Sequence, residues 1–428
     1  MNIFERIGTA QVILAVSLLV AGSNVSASEI TAVDDPLTLG QKIALMEKYD
    51  YINTFCEGRA EVRIHDEEYG YLFGFIDENG NEVVEPILNY ASDFENGMAI
   101  IEYGVFWGVI DKNGYILIEP EYNAVGGWHE GMMTVVKSGL SGFYNDKAEL
   151  VVPLEYTWAA PFREGYAMVE KDDKYGFIDK NGNVVIPLKY DHAGSFHEGL
   201  APVCIGDKWG FIDKSGKVVI PMKYDAVEYF HNGGAIAMIK GKFGMIDKNG
   251  KTIAPFIYNN LVPGELNYCI KDYRLGFLDD NGKTVIPNKY ECISFFSEGL
   301  VSIEVDGKSG YVNKMDEFVI PCQYDYAGNF EEGVAIVGNE SGYGYINKEG
   351  KVILPLEFES DNLTKYEDYD WVRGVDKNGK IHICDKKGNY LIPPVYVGSV
   401  FYRGFEIFKM ESENGDFHYY DKYGKRLK

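Results

Sequence analysis

Short apolar runs alternate with polar turns along almost the whole chain, and the stretch from Gly176 to Gly210 shows the pattern most fully: GFIDKNGNVVIPLKYDHAGSFHEGLAPVCIGDKWG. Phe177-Ile178 predicts a short strand, and Asp179-Lys180-Asn181-Gly182 after it predicts a hairpin turn. Asp favours the first position of a type I turn, and Gly supplies the positive φ that follows. Val184-Val185-Ile186 predicts a second strand, ended by Pro187, which cannot donate to a ladder. A loop closed by Phe196-His197-Glu198-Gly199 leads to a third strand from Leu200 to Val203. Each unit therefore reads as a meander of three short strands, with a fourth at the edge around Tyr190 left open. The apolar residues are neighbours rather than alternating, so both faces of each sheet are expected to be covered. Only neighbouring units can do that, with sheets stacked roughly 10 Å apart.

The unit recurs. Its first glycine returns at Gly74, Gly108, Gly142, Gly176, Gly210 and Gly244 at intervals of 34, then at Gly276, Gly310 and Gly344. His382 and His418 take the equivalent place in two degraded copies, and the first copy begins part-way through at Tyr49-Asp50. A fixed period of this size marks a repeat architecture. Asp77, Asp111, Asp179, Asp213, Asp247 and Asp279 open the turns, and a proline from Pro86 to Pro393 follows each second strand. Tyrosines recur after it, from Tyr90 and Tyr122 to Tyr396, and are expected to wedge between units with the hydroxyl at the rim.

The pattern GFIDxxGxxVIPxxYD resembles the bacterial WG-repeat (WG/KWG β-repeat) family over nearly the whole chain after residue 48, although the naming dipeptide itself occurs only at Trp107-Gly108 and Trp209-Gly210. The resemblance implies binding mediated by the repeats and no catalytic residue.

Three segments are expected. Residues 1–27 read as an export signal: an apolar run from Val12 to Ala21 too short for a comfortable membrane span, then Val25-Ser26-Ala27 as a cleavage site before Ser28. Residues 28–48 read as a cap or linker with a short helix starting near Asp35-Pro36, and residues 49–428 as the repeat array with degraded C-terminal units. The localisation expected is extracellular or periplasmic.

Charge narrows the partners. The chain carries 41 Lys and Arg against 65 Asp and Glu, a formal charge of −24. Such an acid excess argues against nucleic acid and against anionic lipid. The six cysteines sit at unrelated places in their copies and form no CxxC pair; export would permit disulfides, and Cys292 with Cys322, in neighbouring copies, is a candidate pair.

Candidate sites are few. Glu57, Glu130, Glu164, Glu198, Glu298 and Glu332 form an acidic row along equivalent loops and are the candidate binding stripe, against the alternative of a solvated edge. Trp158 departs from the repeat and is the candidate exposed platform, whereas Trp128 replaces the loop phenylalanine and reads as packing. His129, His197 and His231 share one place, but stacking would hold them about 10 Å apart, too far to share one ion, so no metal is expected. No cofactor is expected, and no nucleophile elbow, HExxH or phosphate loop appears. A hydrolase would be expected to break the repeat at its site, and residues 357–376 are the main break.

The fold expected is all-β: a tandem array of about eleven meander repeats stacked face to face. An open superhelical stack is favoured because one propeller usually closes with about 4–8 blades, with one or two propeller rings as the alternative. The function expected is that of a secreted, non-catalytic scaffold for protein or peptide partners. A glycan or cell-wall binding module is the alternative, and a hydrolase the third reading.

Overall fold

The computed structural model of the chain describes residues 36–428 apart from 292 and 366–368. The expected export signal lies outside the described residues, and so does one partner of the Cys292–Cys322 pairing. Among the described residues eleven small antiparallel sheets follow one another, nine of four strands and two of three. In chain order these blades 1 to 11 span 51–88, 90–122, 124–156, 158–190, 192–224, 226–258, 260–290, 300–324, 326–358, 363–392 and 396–421.

Blade 4 shows the plan: a first strand of two residues (Trp158–Ala159), a second (Tyr166–Lys171), a third (Lys174–Asp179) and a fourth (Val184–Tyr190). The unit read from sequence, Gly176 to Gly210, thus takes its strands from two adjacent sheets. The proline does not stop the fourth strand. The ladder skips from Phe177↔Ile186 to Tyr175↔Tyr190, and Pro187 lies in the resulting bulge, where a missing N–H costs nothing.

The constant glycine lies under that bulge. A Cβ on Gly176 would stand 2.6 Å from the Ile186 carbonyl oxygen, and one on Gly210 would stand 2.4 Å from that of Ile220. Only a residue without a side chain lets the two strands approach this closely. The turn chemistry is equally local: Asp179 Oδ1 accepts the backbone N–H groups of Asn181 and Asn183, both at 2.9 Å.

The second and third strands are buried on both faces, as Ala201, Val203, Phe211 and Ile212 show. The fourth strand is not. Ile186 and Tyr190 are buried, but Val184 and Val185 stand in solvent, Val185 at 38 % exposure. Double coverage therefore fails at this strand, because it is the free edge of its sheet and its neighbour overlaps only every second side chain.

Between blades the loop phenylalanine is the principal wedge. Phe196 of blade 5 sits 4.9 Å from Phe177 of blade 4, and Phe230 of blade 6 sits 4.8 Å from Phe211 of blade 5. Ring pairs at this spacing add about 0.5–1.5 kcal/mol beyond the area they bury. Fourth-strand tyrosines reach across: Tyr122 of blade 2 bonds Tyr144 of blade 3 at 2.7 Å, and Tyr290 of blade 7 bonds Asp316 of blade 8 at 2.6 Å, but the hydroxyl is not always at the rim, since that of Tyr190 is buried. Tyr90 is a correction. In blade 1 the tyrosine place is held by buried Leu88, and Tyr90 opens blade 2 as an exposed ring.

The array closes on itself as one ring, so the propeller alternative, rather than the open stack, is the form it takes. The faces that an open stack would leave bare are joined: Ile52, Ala60 and Val62 of blade 1 share a buried cluster with Tyr402, Ile407 and Tyr419 of blade 11. The Gly404 N–H donates to the Ile52 carbonyl at 3.2 Å. Among the described residues no strand is exchanged between the termini: blade 1 has four strands and blade 11 three, each from its own end of the array. Helix α1 (Leu39–Lys48), capped by Thr38 and Gln41, seals this seam by burying Ile43 and Met46 in the same cluster. The Tyr402 hydroxyl donates to the Met46 carbonyl at 2.9 Å. Among the described residues no helix is long and apolar enough to cross a membrane.

Candidate functional site

A four-stranded meander puts its connections at two opposite ends. The first-to-second loops and the third-to-fourth turns emerge at one end of every blade; the second-to-third hairpins emerge at the other. The ring therefore has a loop face and a hairpin face, and the candidate residues divide between them.

The acidic row lies on the loop face. Its glutamates occupy the left-handed position of their turns, with φ of 52° at Glu57, 53° at Glu130 and 51° at Glu198. Their carboxylates point to the next blade. Glu57 accepts the N–H groups of Asn96 and Gly97 at 2.9 and 2.8 Å; Glu130 accepts those of Glu164 and Gly165 at 2.6 and 2.9 Å. Glu164, Glu198 and Glu298 each accept one glycine N–H, at Gly199, Gly233 and Gly333, all at 3.0 Å. A lysine from the turn of that next blade completes each joint: Lys112 with Glu57 at 2.8 Å, Lys214 with Glu164 at 3.2 Å, Lys248 with Glu198 at 3.0 Å and Lys348 with Glu298 at 2.7 Å. Glu332 meets Lys386 at 3.3 Å.

The row is thus a series of clasps between blades. Lys112, followed by the Gly97 amide, holds the Glu57 carboxyl below the usual carboxylate range. At Glu198 and Glu298 burial pushes upward, but the lysine and the glycine N–H outweigh it and the net shift is downward. Glu265 belongs to the same series, with Lys314 at 2.9 Å and the Gly299 N–H at 3.3 Å, although the loop sequence around it is degraded. The lysine partners were not singled out from sequence. Their signal is a separation of 50 residues in four of the pairs, as in Glu130 and Lys180 or Glu198 and Lys248, which shifts where the repeat length varies.

The closing seam lacks this clasp. Its glutamate would be Glu406, with φ 53°, but the turn of blade 1 reads Asp77-Glu78-Asn79-Gly80 and places an acid where lysine stands in most blades, as Asp146 and Asp280 do in blades 3 and 7. Glu406 instead pairs with Lys422 of its own blade at 2.8 Å.

The remaining candidates are dispersed. Trp158, 44 % exposed, lies on the first strand of blade 4, paired in register with Glu170 on the hairpin face. Trp128 packs against the core between blades 2 and 3. His197 contacts Arg163 at 2.9 Å, and its ring lies 4.0 Å from that of Tyr229, tilted by 36°. Buried His382 contacts Tyr390 at 2.9 Å and Asp376 at 3.3 Å. Among the described residues no group of three or more His, Cys, Asp or Glu is placed to hold a metal ion, and Cys56, Cys204, Cys269, Cys322 and Cys384 are free thiols.

The model of the WG containing repeat matches residues 73–104, 107–140, 142–175, 175–209, 209–243, 243–263, 276–308, 310–341 and 343–360. The chain belongs to the WG-repeat family. In these WG repeats the tryptophan position is the half-buried ring at the start of the third strand, held by Trp107, Tyr175, Trp209, Phe243 and Tyr343. The glycine after it is the one beneath the proline bulge.

No curated protein matches the chain. Among solved structures it is similar to Hsv2p of Kluyveromyces lactis, at 10 % identity and TM-score 0.30, covering 51 % of this chain and 90 % of that one. It is also similar to a eukaryotic initiation factor, at 8 % identity and TM-score 0.37 over 87 % of this chain and 96 % of that one. A third likeness is to the extracellular domain of a hybrid two-component system from B. thetaiotaomicron, at 9 % identity and TM-score 0.23, covering 88 % of this chain and 64 % of that one.

Proposed function

We propose that this WG-repeat protein is an exported, non-catalytic scaffold that holds a protein or peptide partner across several blades at once. The observation that carries the reading is the fourth strand. It presents matched apolar pairs to solvent in successive blades, Val184-Val185 and Val218-Val219, and again Phe318-Val319 in blade 8. Repeated exposed apolar positions on one edge are a feature of interaction surfaces. The proline and bulge in the middle of most fourth strands, these three among them, blunt them against an added strand, so recognition would run through side chains. Contacts that are individually weak gain strength when several blades engage one partner.

The non-catalytic part of the reading is supported by what the plentiful carboxylates do: Glu57, Glu130, Glu164, Glu198 and Glu298 are engaged with backbone amides and lysines between blades. The test is capture from the extracellular fraction with the chain from Ser28 to Lys428, followed by cross-linking. Cross-links should map to the fourth strands, and Val185→Asp with Val219→Asp should remove the captured partner. Retention of every partner by that double variant would sink the reading. So would a hydrolysis abolished by one carboxylate substitution within residues 357–376.

A further inference from the structure

We propose that the hairpin face of blades 1 and 2 carries a binding site for a neutral glycan chain, built on the rings of Phe73, Tyr90 and Trp107. These rings form a continuous row. Tyr90 lies 5.9 Å from Phe73 and 5.3 Å from Trp107, and is itself 41 % exposed. The spacing is close to the advance of one pyranose along an extended chain. Tyr71, 53 % exposed, continues the row on the same strand face as Phe73, because residues two apart in a strand share a face.

This patch lacks a pairing that the repeat uses at four other seams. There a cation at the start of the third strand meets an acid that opens the next blade: Lys174 with Asp191, Lys208 with Asp225, Arg274 with Glu291, Lys308 with Asp325. At the first three seams the cation is replaced by Leu72, Phe106 and Leu140, and the acid by Asn89, Asn123 and Thr157. Phe106 is 40 % exposed. At the second and third of these seams a different ion pair stands nearby, Glu121 with Lys137 and Glu155 with Lys171, both at 2.8 Å; the first seam, between Leu72 and Asn89, is left with apolar and neutral polar groups among the described residues. Blade 1 adds a wall. Its second and third strands (Arg59–Asp66 and Gly70–Asp77) run eight residues each, against six in most blades, so their hairpin projects beyond its neighbours.

The chemistry selects a sugar over a purely apolar occupant. A pyranose offers C–H faces to aromatic rings and hydroxyls at its edge, and polar groups are interleaved with this row. Glu102 stands in register between Tyr90 and Trp107. The Arg63 guanidinium lies 4.7 Å from both the Tyr51 and Phe73 rings, held there by its ion pair with buried Glu61. That pairing leaves no net positive charge to attract an anion. The surroundings repel one: residues 49–122 carry 16 Asp and Glu against 3 Lys and Arg, whereas residues 157–290 carry 16 against 17. A neutral chain fits; a uronate or sulfated one does not. The site shares no residue with the fourth-strand positions proposed for protein, so either reading stands or falls alone.

The test is titration calorimetry of the full chain with cellohexaose, chitohexaose and mannohexaose, with tryptophan emission followed in parallel. At least one should bind and shift the emission. Tyr90→Ala and Trp107→Ala should each weaken it by roughly tenfold, the equivalent of one lost ring contact. Tyr71→Ala, a surface change that leaves the core intact, should weaken it several-fold, so misfolding cannot mimic the result. Binding of none of the three would overturn the proposal. So would binding that survives Tyr71→Ala and Tyr90→Ala but is lost with Trp158→Ala, or equal binding of a polygalacturonate hexamer.

Discussion

Glu198 of blade 5 accepts the Gly233 amide of blade 6 at 3.0 Å, and Lys248 from the same blade 6 closes on its other side. The bond spans two blades yet joins residues 35 apart in sequence. Repeated at most seams of the ring, it makes them hydrogen-bonded joints as well as apolar ones. Glu198→Gln keeps the shape and loses the charge, and should cost about 1 kcal/mol by denaturant titration. Lys248→Ala alone should cost less, about 0.2–1 kcal/mol, since that pair is partly exposed.

Acid should loosen the ring. The carboxyls of Glu57, Glu130, Glu198, Glu265 and Glu298 are all held below the ordinary glutamate value of 4.5 in the folded protein. The unfolded chain therefore takes up these protons first as pH falls. The stabilisation is complete well above the unfolded value and is lost progressively as pH drops through the lower, folded values. Melting temperature measured from pH 7 to pH 3 should stay level at first and fall steeply below about pH 4.5. A flat profile down to pH 3 would contradict the clasp.

Gly176→Ala tests the bulge. Its Cβ would meet backbone, at 2.6 Å from the Ile186 oxygen and 2.8 Å from Leu188, and backbone cannot swing aside like a side chain. The expected loss is about 1–3 kcal/mol, measured by thermal or urea unfolding. The same change at Gly127, where nothing lies within 4 Å and φ is not positive, should be nearly neutral.

The closing seam should be the first to give way. It has Glu78 where most blades have lysine, and leans on α1 and on the Tyr402 bond to Met46. Tyr402→Phe should cost about 1 kcal/mol. Glu78→Lys should raise stability by a few tenths to about 1 kcal/mol, and a measured loss would contradict the assignment. Hydrogen exchange should be fastest, among the seams, at blades 1 and 11.

Much of this was legible in the residues. The period, the turns opened by Asp179 and its equivalents, and the all-β class follow from local rules that act within a few residues. The ring did not follow, because closure depends on a small turn at every seam, and no single residue encodes it. The exposed Val185 was missed for a related reason: apolar runs look alike whether a strand is central or at the edge. The acidic row was visible, but its partners were not, since Glu198 and Lys248 meet only once blades stack. Tyr90 was misaligned with the buried tyrosines because Leu88 had taken the expected place. The loss of the Lys–Asp pairs at Leu72, Phe106 and Leu140 was readable all along, but it acquires meaning only when those seams are seen to lie side by side.

Because each joint is made from short local pieces of two neighbours, a whole copy is an interchangeable part. Gain or loss of one repeat by unequal recombination would change the angle at every remaining joint only slightly, spread over the full circumference, and the circle could form again with a different number of members. Such a molecule can alter its diameter, and with it the reach of whatever it carries, without redesigning a single contact.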